Sequence, residues 1–495
     1  MSTILRPGHN CERVEPVETS GVLIDARDYY LAVHKALQSA ERSVLITGWQ
    51  FDSAVPLVRG DDAKDLSAPA ELLPLLQHIV KARPELRIHI LAWDYSILFA
   101  KEREWLQRVK FDWMTDERIR FVYDSEHPAG ASHHQKLVLI DGTIAFAGGI
   151  DLCDARWDDA AHTIDNPLRF KLSGGLQKPY HDLRAYCTGP VVRTLEQLFC
   201  ARWQRATGEA LALPPVPKPV PNSASSVQYG GVELKRAVPV RCSEVAVSLT
   251  FGEHAASGTS KVEQIKVLHE DAISSARQLI YIETQYFTSR AVHAALIDRM
   301  KADRSKLEIV IVLPLGADTP KESFALGDTQ RWVLSSLCQV AKEHGHELRV
   351  LCSVATRDDG SLVPTFIHSK ALFVDNRLMT IGSANCTNRS MSFDSELNLA
   401  WECRDDDALA TSIARVRARL LSEHAGIDYE ASFEHTTGIV AKLDALVGHS
   451  KLRPRELPGS PDEVEQYPLL EQAFDPERAL SELELDEWFE PRRAM

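Results

Sequence analysis

The stretch SHHQKLVLIDGTIAFAGGIDL (residues 132–152) decides the architecture of this 495-residue chain. It returns in altered form as IHSKALFVDNRLMTIGSAN (residues 367–385). Both copies read His, any residue, Lys, four residues, Asp, six residues, and then Gly with a small residue after it. A fixed spacing that occurs twice indicates a duplicated structural unit. The members of the two copies are His134, Lys136, Asp141, Gly148 and Gly149, and His368, Lys370, Asp375, Gly382 and Ser383.

The similarity between the halves extends upstream of these motifs. SAERSVLITGWQFDS (residues 39–53) matches SARQLIYIETQYFTS (residues 275–289). Phe51 and Phe287 are 236 residues apart, and the histidines of the two motifs are 234 apart. The halves therefore keep nearly constant register, which favours a duplicated lobe.

Apolar periodicity alternates between helix-like and strand-like segments in both halves. This alternation predicts the α/β class, with two duplicated lobes that each hold a mixed β-sheet flanked by helices and together form a pseudo-twofold bilobal unit. SILFAKEREWLQRVKFDW (residues 96–113) predicts a further helix, an ordinary surface helix in preference to an amphipathic helix that meets lipid. The other segments are AELLPLLQHIVKARPE, LRIHILAW, IRFVYD and KLVLID in the first half, and AVHAALIDRMKADR, LEIVIVLPL, LRVLCS and KALFVD in the second.

The division between the lobes falls in TGEALALPPVPKPVPNSASSVQYGG (residues 207–231), which is rich in proline and then serine. Such a stretch does not hold a helix or a central strand. We predict a first lobe at residues 1–206, a linker at 207–234, a second lobe at 235–433 and an acidic tail at 434–495, in which SELELDEWFE forms a short helix or a flexible end.

Bulk composition is that of an ordinary soluble globular protein, with 44% hydrophobic and 25% charged residues. A formal net charge of −14 disfavours nucleic acid as a partner. Nine singly scattered cysteines without a CxxC pair predict reduced thiols and no structural metal. The first residues lack a secretory signal, and no stretch reaches the roughly 18 apolar residues of a spanning helix. We expect a cytoplasmic protein, with signal-independent export still open.

The paired histidines and lysines carry the chemistry. Residues two apart on a strand share a face, so His134 projects with Lys136, and His368 with Lys370. Two such faces that meet around a pseudo-twofold axis place two imidazoles and two ammonium groups in one cleft. The lysines repel a metal ion and favour an anion such as phosphate. Phosphoryl transfer needs charge stabilisation, a nucleophile and an acid, and this set supplies all three without a cofactor.

These motifs resemble the signature of the phospholipase D superfamily, HxKxxxxDxxxxxxGSxN in two copies. The second copy fits it from His368 to Asn385, whereas the first ends in GGID and has Asp151 in place of Asn. HHQK, GGIDL and ARWDD (residues 155–159) are similar to the catalytic core of the eukaryotic-type phospholipases D, as are YIETQYF and NRSMSFDSEL. The likeness spans roughly residues 20–430.

The resemblance implies that one histidine attacks phosphorus and becomes a covalent phosphohistidine, while the other serves as acid and base. Motif position makes His134 the nucleophile and His368 the acid/base, although the symmetry of the motifs leaves the opposite assignment open. Lys136, Lys370 and Asn385 are expected to hold the phosphate oxygens.

Further residues are expected to support these groups. Glu396 and Asp182 stand where the resemblance implies carboxylates that accept a hydrogen bond from an imidazole. An ionised Asp151 cannot donate to phosphate, so we expect it to shape the pocket. The candidates for substrate contact are Ser383, Gly149 and Trp157, and the residues expected to stabilise the strand turns are Asp141 and Asp375.

The function implied by the resemblance is that of a metal-independent phospholipase D. Such an enzyme converts glycerophospholipids to phosphatidic acid and a head-group alcohol, with transfer to another alcohol as a side reaction. A phosphatidyltransferase that makes cardiolipin, a phosphodiesterase nuclease and a lipid-binding scaffold with a dead site remain alternatives. The expected partner is a phospholipid membrane surface, contacted peripherally and transiently. Both motifs lie in one chain, so a monomer is sufficient for a complete site.

Overall fold

The computed structural model describes residues 3–94, 110–111, 115–214, 234–316, 320–465 and 468–479. Most of the predicted linker, nearly all of the helix predicted at residues 96–113 and the acidic segment at residues 481–490 lie outside these ranges. The described residues form two large mixed sheets flanked by helices, which confirms the predicted α/β class.

The strands and helices follow the alternation that the sequence predicts. In the first half they are β1 (Arg13–Pro16), β2 (Ser20–Ile24), α1 (Asp25–Gln38), β3 (Ser43–Gly48), α2 (Leu72–Ala82), β4 (Arg87–Trp93), β5 (Ile119–Asp124), β6 (Leu137–Ile140), β7 (Ile144–Gly148), β8 (Tyr180–His181), β9 (Leu183–Thr188) and α3 (Val191–Thr207).

The second half repeats this order, with additional elements both within it and after it. They are β10 (Val238–Pro239), β11 (Glu244–Phe251), β12 (Val262–Glu263), α4 (Gln264–Ser275), β13 (Leu279–Glu283), α5 (Arg290–Lys301), β14 (Glu308–Val312), α6 (Pro320–His344), β15 (Glu347–Thr356), β16 (Leu362–Pro364), β17 (Phe366–Ile367), β18 (Ala371–Val374), β19 (Leu378–Gly382), α7 (Asn388–Ser392), β20 (Glu396–Glu402), α8 (Asp407–Ala425), α9 (Ile439–Leu446), β21 (Leu452–Pro454) and α10 (Pro468–Phe474).

The two sheets share one topology. The first has the order β10-β2-β9-β7-β6-β3-β4-β5, and the second runs β1-β11-β20-β19-β18-β13-β14-β15-β16. In each sheet the strand that follows an HxK motif pairs antiparallel with a strand that begins a parallel trio, β3-β4-β5 or β13-β14-β15. The matching order places the two HxK motifs at equivalent edges of equivalent sheets.

Each sheet borrows a strand from the other half of the chain. β1 precedes the whole first sheet in sequence but pairs with β11 in the second sheet. β10 lies after the predicted linker but pairs with β2 in the first sheet. The sheets are therefore interlocked at their edges.

Hydrophobic layers hold the two lobes face to face. One face of each sheet contributes to a shared core with α3 and α8, whose buried members include Phe199, Trp203, Ile413 and Trp401. The outer face of the first sheet packs against α1 and α2, and that of the second against α4, α5 and α6. Burial of apolar surface on this scale makes the inter-lobe contact a continuation of the core.

The chain after residue 434 packs in part against the second lobe. β21 pairs with β15, and the side chain of Asp475 accepts a hydrogen bond from Thr288 and from the backbone N–H groups of Asn388 and Arg389. Among the described residues, no helix combines the length and the apolar character needed to cross a bilayer.

Candidate active site

The two HxK segments reach across from their own lobe to the other. The backbone N–H of His134 donates to the carbonyl of Ser395 at 2.9 Å, and that of His368 donates to the carbonyl of His181 at 2.8 Å. Each contact lies immediately before a carboxylate residue of the opposite lobe. The backbone thereby brings both histidines to the junction between the sheets.

The carboxylates Glu396 and Asp182 serve the histidines in a crossed arrangement. Nδ1 of His134 lies 3.0 Å from both carboxylate oxygens of Glu396. Nδ1 of His368 lies 2.6 Å from Oδ2 of Asp182. An acceptor at Nδ1 holds the proton there and leaves Nε2 of each ring for chemistry. The sequence places both carboxylates in the site, but it does not reveal that each orients the histidine of the opposite lobe.

Glu396 is held by two hydroxyl groups. The Oγ atoms of Ser383 and Ser390 each donate to one of its oxygens, and Ser383 also accepts the backbone N–H of Leu397. Ser383, a candidate for substrate contact, therefore donates its hydroxyl hydrogen bond to the Glu396 carboxylate in this structure. Ser390 was not singled out from the sequence, although it lies in the quoted NRSMSFDSEL segment.

Asp182 occupies space that only glycine leaves free. A Cβ atom on Gly149 would lie 2.2 Å from Oδ1 of Asp182, far inside van der Waals contact. The same Oδ1 accepts the backbone N–H of Leu183 at 2.7 Å. Gly149, predicted as a substrate contact, thus positions the carboxylate that orients His368.

The two lysines differ in their surroundings. Nζ of Lys136 donates to the carbonyl of His134 at 3.0 Å and lies 3.2 Å from Oδ2 of Asp151. Nζ of Lys370 donates to the carbonyl of His368, and among the described residues no carboxylate lies within ion-pair distance of it. Since one lysine is paired and the other is not, the pseudo-symmetry is broken at the level of charge.

Asn385 occupies the place in the second lobe that Asp151 holds in the first. It is 7% exposed, and its Oδ1 has no hydrogen-bond partner among the described residues. A buried amide oxygen without a donor is costly, so it suits a ligand group that donates a hydrogen bond, whereas the amide NH₂ is the part that can donate to a phosphate oxygen. A neutral amide at this point avoids placing a second carboxylate beside a phosphate.

Burial governs the protonation of both pairs. Burial, reinforced by the neighbouring lysines, lowers the pKa of His134 and of His368 well below the ordinary value. Burial also raises the pKa of Asp182 to about 6 and that of Glu396 to about 8, and it lowers the pKa of Lys370 to about 7. A site free of substrate thus resists charge on its imidazoles, which keeps them nucleophilic.

Arg156 is a cation of the site that the sequence did not single out. Its guanidinium lies over the ring of Tyr180 at 5.2 Å, and it contributes to the lowered pKa of His368 after burial and Lys370. Its Nε has no hydrogen-bond partner among the described residues. The sequence feature that could have identified Arg156 as a site residue is its position in ARWDD, shortly after GGIDL.

The remaining candidates lie away from the cleft. Trp157 is 1% exposed beneath the guanidinium of Arg59, so it has little surface through which to touch a substrate. The Asp141 carboxylate accepts three backbone N–H groups from residues 41–43, and that of Asp375 accepts three from residues 277–279. Both aspartates thereby tie the turn after an HxK strand to the start of the neighbouring strand.

Models of known protein families match both halves of the chain. The family model described as phospholipase D matches residues 36–305, and the one described as cardiolipin synthase, PLD-like domain, matches residues 270–417. Phospholipase D A of Dictyostelium discoideum is 25% identical over 82% of this chain and 35% of its own length. Phospholipase D alpha 1 of Zea mays is 23% identical over 80% of this chain and 63% of its own length. The chain thus spans less than two thirds of either relative.

A solved structure shares the fold. The phosphatidylserine synthase of Haemophilus influenzae Rd KW20 superimposes with a TM-score of 0.51 over 92% of this chain and 91% of that one, at 15% identity. At this low sequence identity, the superposition shows a shared fold and nothing about function. The phospholipase D model, by contrast, matches more than half of the sequence, and on that ground the chain belongs to the phospholipase D superfamily.

Proposed function

We propose that this chain is a phosphodiesterase that hydrolyses glycerophospholipids to phosphatidic acid and a head-group alcohol through a phosphohistidine intermediate. The observation that carries the proposal is the crossed arrangement, in which Glu396 holds His134 and Asp182 holds His368 by Nδ1. Two oriented imidazoles between two lysines supply the nucleophile, the acid and the charge that such a reaction requires.

In the first step Nε2 of His134 attacks phosphorus. A P–N bond forms, the P–O bond to the head group breaks, and His368 gives its Nε2 proton to the leaving alkoxide. The negative charge of the bound phosphodiester raises the pKa of His368, which burial and cations hold low in the free site. His368 is therefore protonated, and able to act as the acid, when the substrate is bound.

In the second step a water molecule replaces the head-group alcohol. His368, now neutral, takes a proton from the water as the oxygen attacks phosphorus. The P–N bond breaks, phosphatidic acid leaves, and His134 returns to its starting state. A primary alcohol in place of water gives transfer of the phosphatidyl group.

The positive groups stabilise the oxygens that carry charge in both transition states. Among the described residues Lys370 lacks a carboxylate partner, and Asn385 is a neutral amide. The second lobe is therefore expected to bind the anionic phosphate oxygens more strongly than the first lobe does. Arg156 adds a further charge near His368. The charge of Lys136 is partly met by Asp151 already.

A cavity beside His368 offers room for the head group. Its volume is about 280 Å³, and Phe366 in its wall lies 6.3 Å from the His368 ring between centroids. Arg455, Arg331 and Asp328 also line it, and Arg331 pairs with Asp328, so the cavity offers a polar head group charges of both signs. We further propose that the chain meets its lipid at a membrane surface as a peripheral protein.

A second candidate is a phosphatidyltransferase of the cardiolipin synthase type. It is favoured by the match of residues 270–417 to the cardiolipin synthase model. In that reaction the hydroxyl of a second phosphatidylglycerol replaces water in the second step. Incubation with phosphatidylglycerol vesicles separates the two, since hydrolysis releases glycerol and phosphatidic acid whereas transfer yields cardiolipin.

The test is to trap the intermediate. Protein mixed with phosphatidylcholine or phosphatidylethanolamine vesicles is quenched within seconds above neutral pH and analysed by peptide mass spectrometry. We expect a phosphatidyl adduct on His134 in the unaltered protein, much slower formation of that adduct in His368→Asn, which lacks the acid of the first step, and none in His134→Asn.

An adduct on His368 in the unaltered protein would reverse the assigned roles. Absence of both adduct and head-group release, in a preparation that cleaves single- or double-stranded DNA without metal, would replace the lipid proposal with a nuclease. The His134→Asn variant is the matched control, because it keeps a side chain of similar size and removes only the nucleophile.

A further inference from the structure

A second cluster of titratable side chains lies behind the histidine–carboxylate pair of His368. It consists of Asp25, His162, His181 and Glu423, all between 0% and 5% exposed. They come from the start of α1, the loop after β7, strand β8 and helix α8, so both lobes contribute. None of them takes part in the proposed phosphodiester chemistry.

The atoms of this cluster converge as metal ligands do. Nε2 of His162 lies 3.5 Å from Oδ2 of Asp25 and 3.3 Å from Oε1 of Glu423. Nδ1 of His181 lies 3.2 Å from Oδ1 of Asp25 and 2.8 Å from the same Oε1 of Glu423. Tetrahedral zinc sites with bonds of about 2.0–2.1 Å separate neighbouring ligand atoms by about 3.3–3.4 Å. The observed separations, which involve both carboxylate oxygens of Asp25, lie between 2.8 and 3.5 Å, on either side of that value.

The outer nitrogen of each histidine is also engaged. Nδ1 of His162 lies 2.8 Å from Oδ2 of Asp158, and Nε2 of His181 lies 3.2 Å from Oε2 of Glu283. A carboxylate on the far nitrogen fixes the tautomer that aims the near nitrogen at an ion, and ligating histidines nearly always have such a partner. Both rings therefore meet the second requirement of a metal site.

Two carboxylate oxygens without hydrogen-bond donors give independent evidence for a bound cation. Oδ2 of Asp25 and Oε2 of Glu423 accept no hydrogen bond from the described residues, although both are buried. The Asp25 atom faces His162 in the centre of the cluster. A buried carboxylate oxygen without a donor is destabilising, and a bound cation removes that cost.

We propose that Asp25, His162, His181 and Glu423 bind one zinc ion as a structural site. Two imidazole nitrogens and two carboxylate oxygens in a closed, four-coordinate arrangement suit zinc, which has no redox role there. The ion would join three segments of the first lobe to α8 of the second. It would also hold His181 in place, whose neighbour Asp182 orients the acid/base histidine.

The metal content of the purified full-length chain tests the proposal. After passage through a chelator-treated column, elemental analysis should find one zinc per chain, which a chromogenic chelator captures only once guanidinium unfolds the protein. His162→Asn should retain below about a fifth of that zinc. His269→Asn is the matched control, because His269 is another buried histidine, bonded to a helix carbonyl far from the cluster, and it should keep its zinc.

The zinc K-edge absorption spectrum of the unaltered protein decides the matter even when His162→Asn does not fold. It should show two imidazole nitrogens and two oxygens at about 2.0 Å. Folded protein that holds less than about a tenth of an equivalent after refolding with zinc would overturn the proposal. So would undiminished zinc in His162→Asn or a first shell that contains sulfur. In that event protonated imidazoles bridge the carboxylates instead.

Discussion

The exchange Glu396→Gln tests the crossed orientation of the nucleophile. The glutamate accepts from Nδ1 of His134 and from the hydroxyls of Ser383 and Ser390. An amide keeps one acceptor oxygen and turns an NH₂ group toward either Nδ1 or a serine. When it faces Nδ1, the imidazole proton moves to Nε2, which is the atom proposed to attack phosphorus. The analogous change in a catalytic triad lowers the rate by about 10⁴.

A loss of that size corresponds to roughly 5 kcal/mol of activation free energy. The assay is rapid quench with fluorescent phosphatidylcholine, which follows both the adduct on His134 and the released head group. We expect Glu396→Gln to form the adduct about 10³–10⁴ times more slowly than the unaltered chain. A folded Glu396→Gln protein within about tenfold of the unaltered rate would refute the orienting role.

Glu402 provides the control, because it is a buried carboxylate on the same strand, β20. It accepts the backbone N–H groups of Ile4 and Leu5 and pairs with Arg377, all outside the active site. Glu402→Gln should lower the free energy of unfolding by about 1–3 kcal/mol and leave the rate of adduct formation unchanged. Equal losses of rate in both variants would mean that general damage to the strand, rather than orientation, explains Glu396→Gln.

Three further changes probe the site. Gly149→Ala sets a methyl group 2.2 Å from Oδ1 of Asp182, so head-group release should fall by about 10² or more. Lys136→Met removes a cation that, after burial, holds down the pKa of His134, so the acid limb of the kcat/KM–pH profile should move to higher pH. Asp141→Ala removes the acceptor of three backbone N–H groups and should lower the free energy of unfolding in guanidinium by about 2–4 kcal/mol without a change in pH profile.

Each of these expectations has a contrary outcome. Gly459→Ala is the control for crowding, since its Cβ would meet its nearest neighbour at 3.4 Å, and equal loss of activity there would remove the steric argument. An acid limb unmoved by Lys136→Met would mean that the limb does not report the nucleophile. An unfolding midpoint unaltered by Asp141→Ala would show that the turn is held by other contacts.

Much of the architecture was readable from local signals. The spacing of the two motifs, with strands such as Leu137–Ile140 and Ala371–Val374 directly after them, predicted the duplicated lobes and the convergence of the two histidines. Such features depend on period-two apolar runs and on a repeat, both of which are visible within a few residues. They also led to the correct superfamily.

Contacts between residues far apart in the chain could not be predicted from the sequence. Nothing near Glu396 indicates that its partner is His134, 262 residues earlier, because sequence symmetry is equally compatible with pairing inside each lobe. The exchange of β1 and β10 between the sheets has the same cause. The zinc proposal likewise draws on residues from 25 to 423 with no local spacing, and a search for metal sites by cysteine pairs passes over them.

The crossed carboxylates also bear on how activity arises as the chain is synthesised. When the ribosome has released the whole first lobe, His134 has been synthesised but its partner Glu396 has not. Asp182 is likewise present before its partner His368. Neither half on its own holds an oriented histidine, so nascent chains and proteolytic halves would lack the proposed activity. Activity would then report on complete synthesis and docking of both lobes, and two separately expressed halves would form a complementation assay for inter-lobe assembly.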